Sequence, residues 1–151
     1  MADAYEIQIA KAIVGELNDP ARQWPLPFMA DYAWYPVYKV EELQKLSVRV
    51  LPLQIDNQKV DRGGQERFDY ALSLDIQAGT ATGQNISNAD MDGLAALAEA
   101  IHDFYRNAHQ LAAAPNWRVI EAKRPEVYVL DRLYHENIWE SYINVVVRGF
   151  K

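Results

Sequence analysis

Arg67-Phe68-Asp69-Tyr70-Ala71-Leu72-Ser73-Leu74-Asp75-Ile76-Gln77 alternates between apolar and polar side chains. Phe68, Tyr70, Leu72, Leu74 and Ile76 fall on one side, and Arg67, Asp69, Ser73, Asp75 and Gln77 on the other. A period of two means a β-strand with one face on a core and one face wet. A slip of one residue would invert every side chain, so the register is strongly specified.

Working back from this strand, Asp56 to Gly64 is a polar, hairpin-type connection whose Gly63-Gly64 supplies positive φ freely. Ser47 to Asp56 alternates, with Val48 and Val50 on one side and Leu51, Leu53 and Ile55 on the other. The phase change at Leu51-Pro52 predicts a bulge or an edge. Glu41 to Leu46 reads as a short helical turn. Residues 30–40 are aromatic and strand-like, with Pro36 confining them to an edge. Trp24-Pro25-Leu26-Pro27-Phe28 is an extended arm whose apolar side chains need a surface to lie on. Ile9, Ile13 and Leu17, beside Ala10 and Val14, make one apolar stripe and predict a helix over about residues 4–18. Asp3 and Glu6 stand where a capping box would start it.

Working forward, Gly79 to Asn85 is a flexible loop, and Ser87 with Asp90 marks a second capped helix start. Leu94, Leu97, Ala98, Ile101, Phe104, Tyr105, Ala108 and Leu111 follow at helical spacing to about residue 111, before Ala112 to Pro115 stops them. Trp117 to Ala122 is a strand, interrupted at Lys123-Arg124-Pro125. Glu126 to His135 reads equally as strand or ordered loop. Asn137 to Phe150 is a final strand, apolar on both faces near its end, which implies a central position or a subunit contact. The order α-β-β-β-α-β-β indicates an α+β fold: a mostly antiparallel or mixed sheet of four to five strands, packed by two main helices. The 151 residues make one domain, 1–151.

Hydrophobic residues make up 50% and charged residues 24% of the chain, which excludes global disorder. The absence of cysteine excludes disulfides, thiolate metal sites and a cysteine nucleophile. The net charge of -6 is spread along the chain with no basic block, so binding that depends on neutralising phosphates is disfavoured. No apolar run approaches a membrane span, and the acidic start argues against a signal peptide.

No catalytic or metal constellation emerges, and no cofactor is implied. His102 and His109 are seven apart on the expected helix, about 10 Å, too far to share an ion without a ligand between them. Asp90, near Asp92 and Asp103, is explained by its place in a helix cap. Arg62-Gly63-Gly64 and Thr80 to Gly83 lack a phosphate-loop pattern, and Ser73, Ser87 and Ser141 lack a nucleophile elbow. The glutamates Glu6, Glu16, Glu41 and Glu42 read as solvated. What stands out is aromatic. Trp24, Phe28, Tyr32, Trp34, Tyr35, Tyr38, Tyr134 and Trp139 fall outside the regular core positions. Such residues dominate binding energy at protein interfaces, although a core of this size can also absorb them.

Several phrases, taken in order, resemble the tail terminator family of tailed bacteriophages, also described as minor tail or tail-completion proteins. They are Ile13-Val14-Gly15-Glu16-Leu17, then the aromatic strand running into Val40-Glu41-Glu42-Leu43. Leu46 to Pro52 and Arg62 to Ile76 follow, and Ile138-Trp139-Glu140-Ser141-Tyr142-Ile143-Asn144-Val145 closes the series. The resemblance spans nearly the whole chain, and its motifs are structural rather than catalytic. It implies a small α+β domain without enzymatic activity, forming a ring, usually a hexamer, at the head-proximal end of the tail tube in the virion. Such a ring ends tube polymerisation and docks the neck. The implied partners are further copies of the chain, the tail tube protein and the neck or head-completion protein. DNA would pass through the lumen without sequence-specific binding. Trp24, Phe28, Trp34, Tyr35, Tyr38, Lys59, Arg62 and Trp139 are the residues expected at interfaces. The competing expectations are a neck or head-completion protein, a small enzyme or ligand-binding protein with a pocket under the long helix, and an early host-directed inhibitor.

Overall fold

A computed structural model describes residues 4–34, 46–59, 64, 66–79 and 86–150. The elements run α1 (Tyr5–Leu17), β1 (Ala30–Tyr32), β2 (Ser47–Lys59), β3 (Glu66–Ala78), α2 (Asn88–Arg106), β4 (His109–Leu111), β5 (Ala114–Lys123), α3 (Leu130–Glu136) and β6 (Trp139–Phe150). The strands form one six-stranded sheet in the order β1-β2-β3-β6-β5-β4. All neighbours are antiparallel except β1 and β2, which are parallel, so the sheet is mixed.

The α+β class and the strand spanning 67–77 follow the sequence reading. The sheet has six strands rather than four to five because His109–Leu111, expected at the end of the long helix, forms β4; β1 is the described part of the strand expected at 30–40 and runs parallel to β2. The expected helix turn at 41–46 and most of the strand at 30–40 lie outside the described residues.

The core forms where the inward residues of β2, β3, β6 and β5 meet α1 and α2. Across the sheet Val50, Leu74 and Ile143 share one row, and Leu72, Val145 and Ala122 another. Ile9, Ile13 and Leu17 of α1 and Leu94, Leu97, Ala98 and Ile101 of α2 close over these rows. The register of β2 shifts between Pro52 and Gln54, leaving Leu53 as the extra residue. The bulge returns Ile55 to the side of Val48 and Val50, opposite Tyr70, so the expected change of face after Leu51 does not persist.

Three further expectations change. First, α2 stops at Arg106, because Asn107 turns extended (φ -83°, ψ 112°) and His109–Leu111 pairs with β5. Leu111 is fully buried from the strand, so an apolar spacing that continues the helical pattern is satisfied by a different element. Second, residues 130–136 are helical. Asn137 ends α3 in the left-handed region (φ 54°), where its N–H donates to Leu133 O and the Ile138 N–H donates to Arg132 O. Third, the polar side of β3 is not wet at its C-terminal half. Ser73, Asp75 and Gln77 are buried, Gln77 completely. Ser73 and Asp75 sit between larger side chains on adjacent strands, Ser73 between Leu51 and Asn144 and Asp75 between Arg49 and Tyr142, while Gln77 lies between Ser47 and Glu140. For Ser73 and Asp75 the longer cross-strand neighbours reduce access to water, and Arg132 of α3 lies close enough to Asp75 to act on its charge.

At the second helix start the sequence reading holds: Ser87 Oγ accepts from the Asp90 N–H at 3.1 Å. At the first, Ala4 is the N-cap residue and no side chain caps the helix, while Asp3 lies outside the described residues.

Candidate functional site

The arm from Pro20 to Met29 lies on its own chain. Trp24 Nε1–H donates to Leu17 O at 2.9 Å, one of the carbonyls left over at the end of α1. The Trp24 ring meets Phe104 edge-on at 5.9 Å and Phe28 at 6.2 Å, and the Arg22 guanidinium lies 4.0 Å over the opposite partner, Phe104. Asn18 locks the far end of the arm: its Nδ2 donates to Ala30 O (2.9 Å) and its Oδ1 accepts from Ala30 N–H (2.7 Å). Trp24 and Phe28 are thus partly buried against the core rather than displayed. Trp139, also expected at an interface, is 2% exposed and packs within the core opposite Ala78, so its side chain is not available to a partner. The alternation of β6 places it inward; its apolar neighbours on the same strand carried that signal.

Trp34 is different. It is 55% exposed and lines a cleft of about 180 Å³ with Pro52, Leu53, Ile55, Tyr70 and Glu6. Leu53 and Ile55 are 57% and 55% exposed. Ile55 points to the core side of the sheet but lies beyond the start of α1, so this part of the inner face is uncovered by the described elements. Tyr35, Tyr38 and Arg62 fall outside the described residues. Lys59 ends β2 opposite Glu66.

A second exposed apolar group surrounds α3: Val127 (64%), Leu130 (62%) and Tyr134 (79%). Helical spacing of Leu130 and Tyr134 puts both on one side of α3. Arg132, on the inner side, pairs with Glu136 (3.0 Å) and Glu140 (3.1 Å), which anchors the helix to the start of β6. The exposed rim carries Glu126, Asp131 and Glu136.

At the opposite end of the outer sheet face the charge is reversed. Arg148 makes a two-pronged contact with Asp69 (2.8 and 3.0 Å), and Arg67 lies 3.9 Å from the same carboxylate. Arg118 stands beside Arg148 in the register, and Phe150, 52% exposed, is opposite Arg67. Hydrogen bonding to Arg148 is the main reason the Asp69 carboxyl is held below its ordinary range.

Two buried polar sites could be imagined to do chemistry. Glu16, near the end of α1, accepts from or donates to His109 Nε2 at 3.1 Å, and His109 Nδ1–H donates to Asn107 O at 2.8 Å. Burial pushes Glu16 up, opposed by the His109 charge and hydrogen bond and by Arg22. Glu16 was expected on a solvated face; it is 7% exposed. Under α3, burial raises Asp75 and Glu140, opposed for Asp75 by the hydrogen bond from Ser73 (2.6 Å) and then Arg132, and for Glu140 by Arg132. Each of these acids is bound into a contact with a neighbouring side chain. His102 leaves this company altogether, with Nε2–H donating to Ala122 O at 3.2 Å. Among the described residues no group of three or more His, Asp or Glu could hold a metal ion. No described helix is long and apolar enough to cross a membrane.

A cleft of about 310 Å³ lies between the arm and the start of α2, lined by Leu26, Pro27, Leu46, Ile86, Leu94 and Asp90 among others. Its lining is nearly all aliphatic and presents one carboxylate, a poor set of groups for orienting a reacting substrate. Neither a protein-family model nor a curated protein sequence matches the chain.

Proposed function

We propose that the protein is a structural ring subunit that ends a phage tail tube and presents a docking surface for the neck. The observation that carries this reading is the distribution of exposed apolar side chains. They form separate groups on different flanks of one small domain, at Trp34-Leu53-Ile55 and at Val127-Leu130-Tyr134. A subunit inside a ring needs distinct surfaces for its two neighbours and for what lies above and below it. A monomer with one small-molecule site has no use for several such groups. The resemblance in the order of sequence phrases supplies the tail setting. The Trp34 cleft then suits an axial contact, because it uses the uncovered inner face rather than the charged outer one.

The test is loss of the gene in a phage that carries it, followed by electron microscopy of the tails. Overlong tubes are the expected result. Free tails of normal length would move the protein to the neck. Infectious particles with unchanged tails would refute both assignments.

A further inference from the structure

We infer that neighbouring copies dock head to tail, with the Arg118–Arg148–Phe150 end of one sheet seated on the α3 rim of the next. The inference rests on the ring reading for its occupant, a second copy of this chain, and adds which surfaces meet.

The two surfaces are matched in both respects that an interface requires. One displays Phe150 among Arg67, Arg118 and Arg148, three arginines against two carboxylates, Asp69 in their midst and Asp56 opposite it on β2. The other displays Leu130 and Tyr134 with Glu126, Asp131 and Glu136 at the rim, in a chain that is acidic overall. Aromatic residues and arginine are the types enriched in interface cores, and opposite charge around them fixes register and speeds encounter. Arg118 is exposed, its guanidinium reaching Ala108 O at 3.5 Å, so it is placed to meet an acidic partner.

The ring reading selects a head-to-tail arrangement over a two-fold one, and each copy carries both of the surfaces that such a contact needs. Glu140 touches Arg132 of α3, and Phe150 lies ten residues further along β6. At about 3.3 Å per residue the two surfaces are about 30 Å apart. A two-fold dimer would pair the same unlike surfaces reciprocally, so an oligomer larger than a dimer is the result that marks the head-to-tail arrangement. A contact between unlike surfaces propagates from copy to copy and closes into a ring if the rotation allows.

The experiment is sedimentation velocity over a concentration series with wild type and two double variants. Arg118→Glu/Phe150→Asp breaks the basic surface, and Asp131→Lys/Tyr134→Ser breaks the α3 surface. Circular dichroism and a thermal melt verify folding, with Phe150→Ser alone replacing the first variant should it not fold. The expected result is an oligomer larger than a dimer for wild type and at least tenfold weaker association for each variant. An equimolar mixture of the two variants should give dimers and nothing larger, since each retains the surface the other lacks. Raising salt should weaken the wild-type oligomer as the charges are screened. Three results would overturn the inference: a wild-type monomer throughout, an oligomer that neither variant weakens, or variants whose mixture fails to dimerise. None of these touches the tail-length result, so the docking geometry and the terminator reading fail separately.

Discussion

Substituting Gly149 by alanine tests the packing of the sheet at its most crowded point. Gly149 sits opposite Trp117 in the register of β6 and β5. A methyl group built there would lie 2.3 Å from Cε3 and 2.4 Å from Cζ3 of the indole. Carbon atoms settle at about 3.5–4.0 Å, so the ring must retreat by more than about 1 Å. It has nowhere convenient to go: Trp117 is 5% exposed, with Tyr70 edge-on at 5.2 Å and Tyr5 at 5.5 Å. Overpacking of this kind costs about 1–3 kcal/mol. Replacing glycine also removes freedom from the unfolded chain, which offsets up to about 1 kcal/mol. The net expectation is a loss of about 1–2 kcal/mol, or roughly 2–8 °C in Tm for a domain of this size. Calorimetry of Gly149→Ala measures it. A double-mutant cycle with Trp117→Leu should show favourable coupling of about 1 kcal/mol or more, because leucine vacates the space the methyl group needs. A Tm at or above wild type, or strictly additive effects, would refute the claim that the indole is held fast against this glycine.

Two further outcomes follow from the polar contacts. Glu16 has a folded pKa above its unfolded value because of burial, so its ionisation costs stability, a cost that grows as pH rises from the unfolded value through the folded one. Glu16→Gln removes that titration, and its Tm should improve relative to wild type between pH 4.5 and 7; thermal melts in which the difference shrinks with rising pH would contradict this. Asn18→Ala deletes both bonds to Ala30 and should cost about 1–3 kcal/mol, with faster proteolytic cleavage between residues 19 and 29, whereas unchanged cleavage would mean the arm is held by Trp24 alone.

What could be read from the sequence was whatever repeats at a fixed period. The alternation from Phe68 to Ile76 gave β3 and the core face of the sheet, and Ile9, Ile13 and Leu17 gave α1. Failures came where one pattern serves two structures. Leu111 fits the apolar stripe of α2 and also the inward side of β4. Leu130 to Glu136 is too short for a helical period to declare itself, and its stop signal is Asn137, a residue type that reads as a turn equally well. Burial of Ser73, Asp75 and Gln77 depends on which strands flank β3, and residue order along one strand does not contain that. For the interface residues the lesson is similar. Being aromatic and outside a stripe describes Trp24, Trp34 and Trp139 alike, but a bond to Leu17 O holds the first, the second is exposed, and the third is core. The pairing of Arg118 with Arg148 across β5 and β6 arises only on folding.

The place of β6 in the sheet also governs how the chain can be made. β3 and β5 both pair with β6, and the β3 partners are some sixty to eighty positions away along the chain. During synthesis β2 and β3 leave the ribosome as a hairpin whose inner edge has no partner until β6 emerges. Sheets closed by such distant pairings form slowly, and an open edge invites pairing with other chains. A nascent copy therefore carries the open edge of β3 through the sixty residues between Ala78 and Trp139, beside identical copies on the same messenger, and high-level production should depend on temperature and chaperone supply.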